Sequence, residues 1–164
     1  ARIARSHLGG LPPEVDLKAE VALGNVVRAL SAADGPDGRP LVRAAHDLSN
    51  GGLLQSLVDS ALRFGIGGVF DVAGAARRDC VGDHEMLLSE SQARAFVAVP
   101  EAAVKAVFAA AEAEGVDAIR IGTTGGDMLA ISGVDLLAAE GEGCGWIASI
   151  DELRELSETG RKYF

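Results

Sequence analysis

Two stretches of the chain bring together side chains and backbone of the kind that chemistry requires. The first, AHDLSNGGL over residues 45–53, sets His46, Asp47, Ser49 and Asn50 ahead of Gly51 and Gly52; the second, LLSESQAR over residues 87–94, sets Glu90, Ser91 and Gln92 side by side. A glycine pair lets backbone come close to a ligand, and the free N–H groups of a helix's first turn carry about half a positive charge. Ser49, Asn50, Gly51 and Gly52 therefore read as an anion site. Asp47, at a strand's end beside it, suits a magnesium ion that bridges to phosphate, because a hard cation prefers carboxylate oxygen. Glu90, Ser91 and Gln92 offer carboxylate, hydroxyl and amide, the equipment to grip a polyhydroxy or amide ligand. Plainer accounts stand beside these: a helix cap at Ser49 or Asn50, a glycine turn, a solvated Asp47, and a solvated turn at residues 90–92. His46 and Asp47 are consecutive in an extended segment, so their side chains are expected on opposite faces and not as a catalytic dyad. His46 reads as a packed imidazole, and no catalytic residue is assigned.

The elements that must position these stretches follow from periodicity. LPPEVDLKAEVALGNVVRALS predicts a helix capped by Asp16, with Leu23, Val26, Val27 and Leu30 as one stripe, ending near Ala33. AADGPDGRP is a turn and LVRAAHD a strand, so AHDLSNGGL falls where a strand hands over to a helix whose apolar repeat is Leu54, Leu57, Val58, Ala61 and Leu62, up to Gly65. IGGVFDV predicts a strand, AGAARRDCVGDHE an irregular loop, RAFVAV a strand, and EAAVKAVFAAAEAEG a helix closed by Gly115. VDAIRIG and DMLAISG predict a strand pair joined by residues 123–126, and a closing helix starts around Ser149, with Glu152 at capping-box spacing. The reading is an α+β fold, a mixed and mostly antiparallel sheet covered by helices, with residues 1–164 as a single domain.

Composition narrows the partners. The net charge of -9 opposes phosphate backbones and anionic lipid, which excludes nucleic acid and membrane surfaces. No stretch reaches the roughly 20 apolar residues of a bilayer span. Cys80 and Cys144 form no metal-type pair, Cys80 and His84 lack a second pair, and the usage fits a reducing cytosol and a cytoplasmic protein. The chain opens without methionine, its first being Met86, which points to processing or to a piece of a longer chain.

AHDLSNGGL followed by LLSESQARAFVAV resembles the carboxy-terminal domain of the phosphoribosylformylglycinamidine synthases. LGGLPPEVDLKAEVALGNVVRAL is similar to that domain's entry helix and IGTTGGDMLAISG to its late strands, so the resemblance runs along nearly the whole chain. These synthases share a superfamily with aminoimidazole ribonucleotide synthetase, selenophosphate synthetase, thiamine monophosphate kinase and the hydrogenase-maturation dehydratase. The resemblance implies a fold like the carboxy-terminal domain of aminoimidazole ribonucleotide synthetase. It implies a parent enzyme of purine biosynthesis in which ATP, with Mg2+, phosphorylates the amide oxygen of formylglycinamide ribonucleotide, and ammonia from a glutaminase subunit then displaces phosphate. Its implied partners are the remaining synthetase domains, the glutaminase subunit and a small accessory subunit. The parent is several-fold longer and pseudo-duplicated, and this chain matches its last domain, where the related pocket holds an auxiliary nucleotide without turnover. Carried over residue by residue, Asp47 matches the family's metal position and Glu90, Ser91 and Gln92 its substrate motif. Asn50 stands where an aspartate is common, which removes one negative charge and a second metal contact. Two alternatives remain: a structural interface module with no ligand, and a fragment of another superfamily member. Excision from a parent also implies self-association, or an apolar patch left by the lost interface.

Overall fold

The computed structural model describes residues 15–79, 81–133 and 145–160. Helix α1 (Leu17–Ser31) starts where Asp16 accepts hydrogen bonds from the N–H groups of Lys18 (2.9 Å) and Ala19 (3.2 Å), as its sequence predicts. Val26 and Leu30 are buried on its apolar stripe, against Leu41 and Ala103. Strand β1 (Ala44–Asp47) pairs antiparallel with β3 (Ala95–Ala98), Asp47 opposite Ala95, as a two-stranded ribbon. A single 3-10 turn (Glu101–Ala103) leads into α5 (Val104–Ala113), and Gly115, with φ of 67°, ends that stretch by donating to the Glu112 carbonyl.

The larger core lies under a four-stranded sheet ordered β4 (Gly122–Thr124), β2 (Gly68–Asp71), β5 (Met128–Ser132) and β6 (Gly145–Ser149). β2 runs parallel to β5, and the other neighbours are antiparallel. The sheet is thus mixed and mostly antiparallel, as expected. Phe70, Val72, Leu129, Ile131 and Ala148 face Leu53, Leu57 and Ala61 of α2 (Gly52–Phe64) and Leu153 of α6 (Ile150–Gly160). α6 carries the anticipated cap: the Ser149 hydroxyl accepts from the Glu152 N–H (3.2 Å), and the Glu152 carboxylate accepts from the Ser149 N–H (2.7 Å). The Ser149 N–H and then the Ser149 hydroxyl, which donates to Glu152 Oε2 at 2.8 Å, hold the Glu152 carboxyl below its ordinary value.

Several expectations are corrected. The stretch expected as an irregular loop folds as α3 (Ala73–Asp79) and α4 (Asp83–Leu88), because Asp71 Oδ1 accepts the Ala73 N–H (3.0 Å), Glu85 Oε2 accepts the Gly82 N–H (3.0 Å), and Ala75, Ala76, Met86 and Leu87 all have core to enter. VDAIRIG contributes only Gly122 to a strand: β4 is completed by Thr123 and Thr124, which were expected in the turn, and it does not pair with β5. β2 lies between them, and Gly125 and Gly126 of the connection wrap the start of β2 through Gly67 N–H to Gly126 O and Gly125 N–H to Gly67 O, both 2.8 Å. A side chain at Gly67 would strike the Met128 backbone, so only glycine permits that insertion. β6 has no counterpart among the predicted strands. Cys80 and Cys144 lie outside the described residues, as do the prolines expected to lead into α1. No helix among the described residues is long and apolar enough to cross a membrane.

Candidate functional site

The fold brings the two polar stretches together. β1 ends at Asp47, the chain turns through Leu48, Ser49 and Asn50, and two successive left-handed glycines, Gly51 (φ 76°) and Gly52 (φ 65°), launch α2. Gly52 sits against the last turn of α4: a Cβ there would lie 2.7 Å from the Leu87 carbonyl oxygen and 2.8 Å from that of Ser89. The second polar stretch begins at that point. Glu90 reaches back, and its Oε1 accepts the Gly51 N–H at 2.9 Å across 39 residues of sequence. A cleft of about 630 Å³ opens over the junction, lined by Asp47, Ser49, Glu90, Ser91 and Gln92 together with Glu20 of α1.

Neither Ser49 nor Asn50 caps α2, contrary to expectation. The cap position is Gly51, with no side-chain hydrogen bond to the helix's first turn. The expected free amides at that end are also partly occupied, since the Gly51 N–H is taken by Glu90. The Ser49 hydroxyl turns instead toward Asp47 and is the main cause that holds the Asp47 carboxyl below its ordinary value, with help from the Asp47 backbone and His46. Asp47 is 74% exposed and stays ionised at neutral pH.

His46 and Asp47 are closer than an extended backbone suggests, with Nδ1 3.5 Å from Asp47 Oδ1 and 2.6 Å from Asp47 O. The ring folds along its own backbone, drawn there by stacking on Phe96, its partner across the β1–β3 ribbon, at 5.9 Å between centroids. This arrangement packs the imidazole against Phe96, as expected of His46, with Nδ1 held at its own backbone.

Ser56 and Arg94, which carried no signal in sequence, anchor the floor. Ser56, the buried polar residue of α2, places its Oγ 3.0 Å from the Asp47 carbonyl and 2.8 Å from that of Gly52, so its one proton serves either end of the loop. The Arg94 guanidinium points at the end of α4, donating to the Ser89 carbonyl (3.3 Å) and approaching that of Met86 (3.5 Å), where a cation complements the helix dipole. Burial pulls the Arg94 pKa down, yet an arginine so placed remains charged. The Leu48 N–H donates to the Arg94 carbonyl (3.0 Å), which ties the first loop to the second.

Among the described residues no group of three or more His, Cys, Asp or Glu side chains is placed to hold a metal ion. Asp47 on its own fits a magnesium ion that keeps its waters and phosphate oxygens, since that ion is commonly held through one or two carboxylates.

Residues 4–132 match the family described as AIR synthase related protein, C-terminal domain. The phosphoribosylformylglycinamidine synthase subunit PurL of Nocardioides sp. is 42% identical over 133 residues, which are 81% of this chain and 16% of that one. The subunit of the same name from Renibacterium salmoninarum is 41% identical over 161 residues, 98% of this chain and 19% of that one. The chain thus spans less than a fifth of the length of these relatives. In fold it is similar to PurLQS from Thermotoga maritima, with a TM-score of 0.66 at 18% identity over 85% of this chain and 22% of that one. It is also similar to Thermotoga maritima PurL complexed with ATP, with a TM-score of 0.54 at 17% identity over 69% of this chain and 19% of that one. With its α+β architecture, its two linked loops and this match over most of its length, the chain belongs to the family of AIR synthase related C-terminal domains.

Proposed function

We propose that residues 1–164 form one carboxy-terminal domain of a longer synthase that converts formylglycinamide ribonucleotide to its amidine in purine biosynthesis, and that its cleft holds a magnesium-bound nucleotide without turning it over. The observation that carries this reading is the union of the two loops by Glu90 and Gly51, which sets Asp47, Ser49, Glu90, Ser91 and Gln92 around one opening, with Asn50, Gly51 and Gly52 outside its lining. The identity of about 40% to two PurL subunits supports the parent activity, and the ATP complex of a PurL of like fold supports the ligand class.

In this reading the exposed Asp47 is the protein's ligand to the phosphate-bound magnesium. Ser49 faces the phosphates from the cleft wall, with Asn50, Gly51 and Gly52 in the loop behind it, and Glu90, Ser91 and Gln92 contact the polar remainder of the ligand. Bound magnesium supplies charge neutralisation for the phosphates; the chain's own part is to hold and orient. A supporting role fits His46, whose ring stacks on Phe96 and whose Nδ1 lies at its own backbone. The parent draws ammonia from a glutaminase subunit and works beside its own remaining domains and a small accessory subunit, in the cytoplasm; the PurLQS assembly of the Thermotoga protein supports such partners.

The test is calorimetric titration of the chain with magnesium-ADP and, separately, with formylglycinamide ribonucleotide. Magnesium-ADP should bind, and Asp47→Ala should weaken it by about tenfold, the scale of one lost charge-assisted contact. Absence of binding to either ligand would contradict the reading.

A structural interface role has an observation of its own. Val69 and Ile147, each 63% exposed, flank Ala130 in register on the sheet face opposite the core. Apolar rows of this kind belong under a neighbour, and in the longer relatives more than four-fifths of the length lies beyond the matched segment. With that neighbour missing, the chain is expected to pair with a second copy through this face. Sedimentation equilibrium should then show a concentration-dependent dimer that Val69→Lys abolishes, and a monomer at all concentrations would contradict it.

A further inference from the structure

Among the described residues Ala93 is the only non-glycine with positive φ, at 54°. A Cβ makes that conformation unfavourable, and a strained residue persists only where its surroundings hold it. Ala93 directly follows Ser91 and Gln92, and what holds it comes from 73 residues away: Oε1 of the half-buried Glu20, on α1, accepts the Ala93 N–H at 2.8 Å. The stretch is fixed on both sides of that point. Ser89 and Ser91 join their hydroxyls at 2.5 Å, and the Arg94 carbonyl accepts the Leu48 N–H. Between those anchors the left-handed turn decides where Ser91 and Gln92 lie on the cleft wall, which Glu20 and Ala93 also line.

We propose that Glu20 is a positioning residue: by accepting the Ala93 N–H it holds the left-handed turn that presents Ser91 and Gln92 to the cleft. Affinity at the cleft then depends on an α1 carboxylate that acts through the backbone. This rests on the reading of the cleft as a ligand site, and the test separates the two.

Amide hydrogen exchange and magnesium-ADP titration are measured on the whole chain. In Glu20→Ala the Ala93 amide should exchange about tenfold faster, as expected when a charge-assisted hydrogen bond is lost. The Leu129 amide of the core sheet, which reports global unfolding, should keep its rate. Magnesium-ADP affinity should fall by a similar factor. Glu20→Gln, which keeps an acceptor oxygen, should change either reading by less than about threefold. Adding Ala93→Gly to Glu20→Ala should restore affinity, because glycine adopts the left-handed turn unaided. Unchanged Ala93 exchange in Glu20→Ala would overturn the proposal, and so would an affinity loss that Ala93→Gly leaves in place. If the unaltered chain binds no magnesium-ADP, the ligand reading and the presentation of Ser91 and Gln92 to a ligand fall together, and exchange at Ala93 still decides whether Glu20 holds the turn.

Discussion

Gly52→Ala is expected to destabilise the chain by about 3 kcal/mol, the sum of two costs. One is the left-handed φ of 65°, which a side chain resists by roughly 1 to 2 kcal/mol. The other is the collision of the new methyl with the backbone of Leu87, Leu88 and Ser89 at 2.7 to 2.8 Å, where no flexible side chain can yield and overpacking costs roughly 1 to 3 kcal/mol. The melting temperature should fall by roughly 10 °C for a chain of this length. The effect reaches the site as well, because a displaced α2 carries Gly51 away from Glu90. A Gly52→Ala protein that melts within about 2 °C of the parent would show that the α2–α4 contact is looser than described.

Leu87→Ala should cost about 3 to 4 kcal/mol, the range for emptying a fully buried leucine site that cannot collapse. Leu87 has no solvent exposure and belongs to the core that joins α2, α4 and the sheet. It stands three residues before Glu90, so the cavity would open directly beneath the loop junction. Urea denaturation should show the midpoint falling at constant slope. Leu87→Met, close in volume, should cost less than about 1.5 kcal/mol. A loss below about 1 kcal/mol for the alanine variant would mean that α4 does not anchor the second loop.

The site was half legible in sequence, and the division has physical causes. Each loop announced itself locally: glycines after a strand, and three polar residues before another strand. Their meeting did not, because a hydrogen bond from Gly51 to Glu90 spans 39 residues and leaves no spacing to read. Glu20 looked like any surface glutamate of an amphipathic helix. Its role exists only because α1 packs where Ala93 turns. Ser49 and Asn50 have the right chemistry for a cap, yet the two left-handed glycines separate them from the helix's first turn, and Ser49 turns to Asp47 instead.

The fold divides in the same way. α1 was legible from Asp16 through its apolar stripe, and α6 from its Ser149 and Glu152 cap. α3 and α4 were not, because segments of seven and six residues are too short to show a helical period and the glycines and charges around them read as a loop. The β4–β5 pairing expected from sequence failed because the connection between them looked like a hairpin turn. The glycine at position 67 lets β2 enter instead, and that depends on a backbone approach invisible to side-chain pattern.

The most direct test of the central claim, that the joined loops form a nucleotide site, is amide chemical-shift mapping of the isotope-labelled chain titrated with magnesium-ADP. The account predicts that the largest shifts fall on Gly51, Gly52, Ser91 and Gln92, that Asp47→Ala weakens them together, and that Val69 and Ile147 on the open sheet face stay unmoved. Shifts centred on the open face, or none at the loops at saturating ligand, would contradict it.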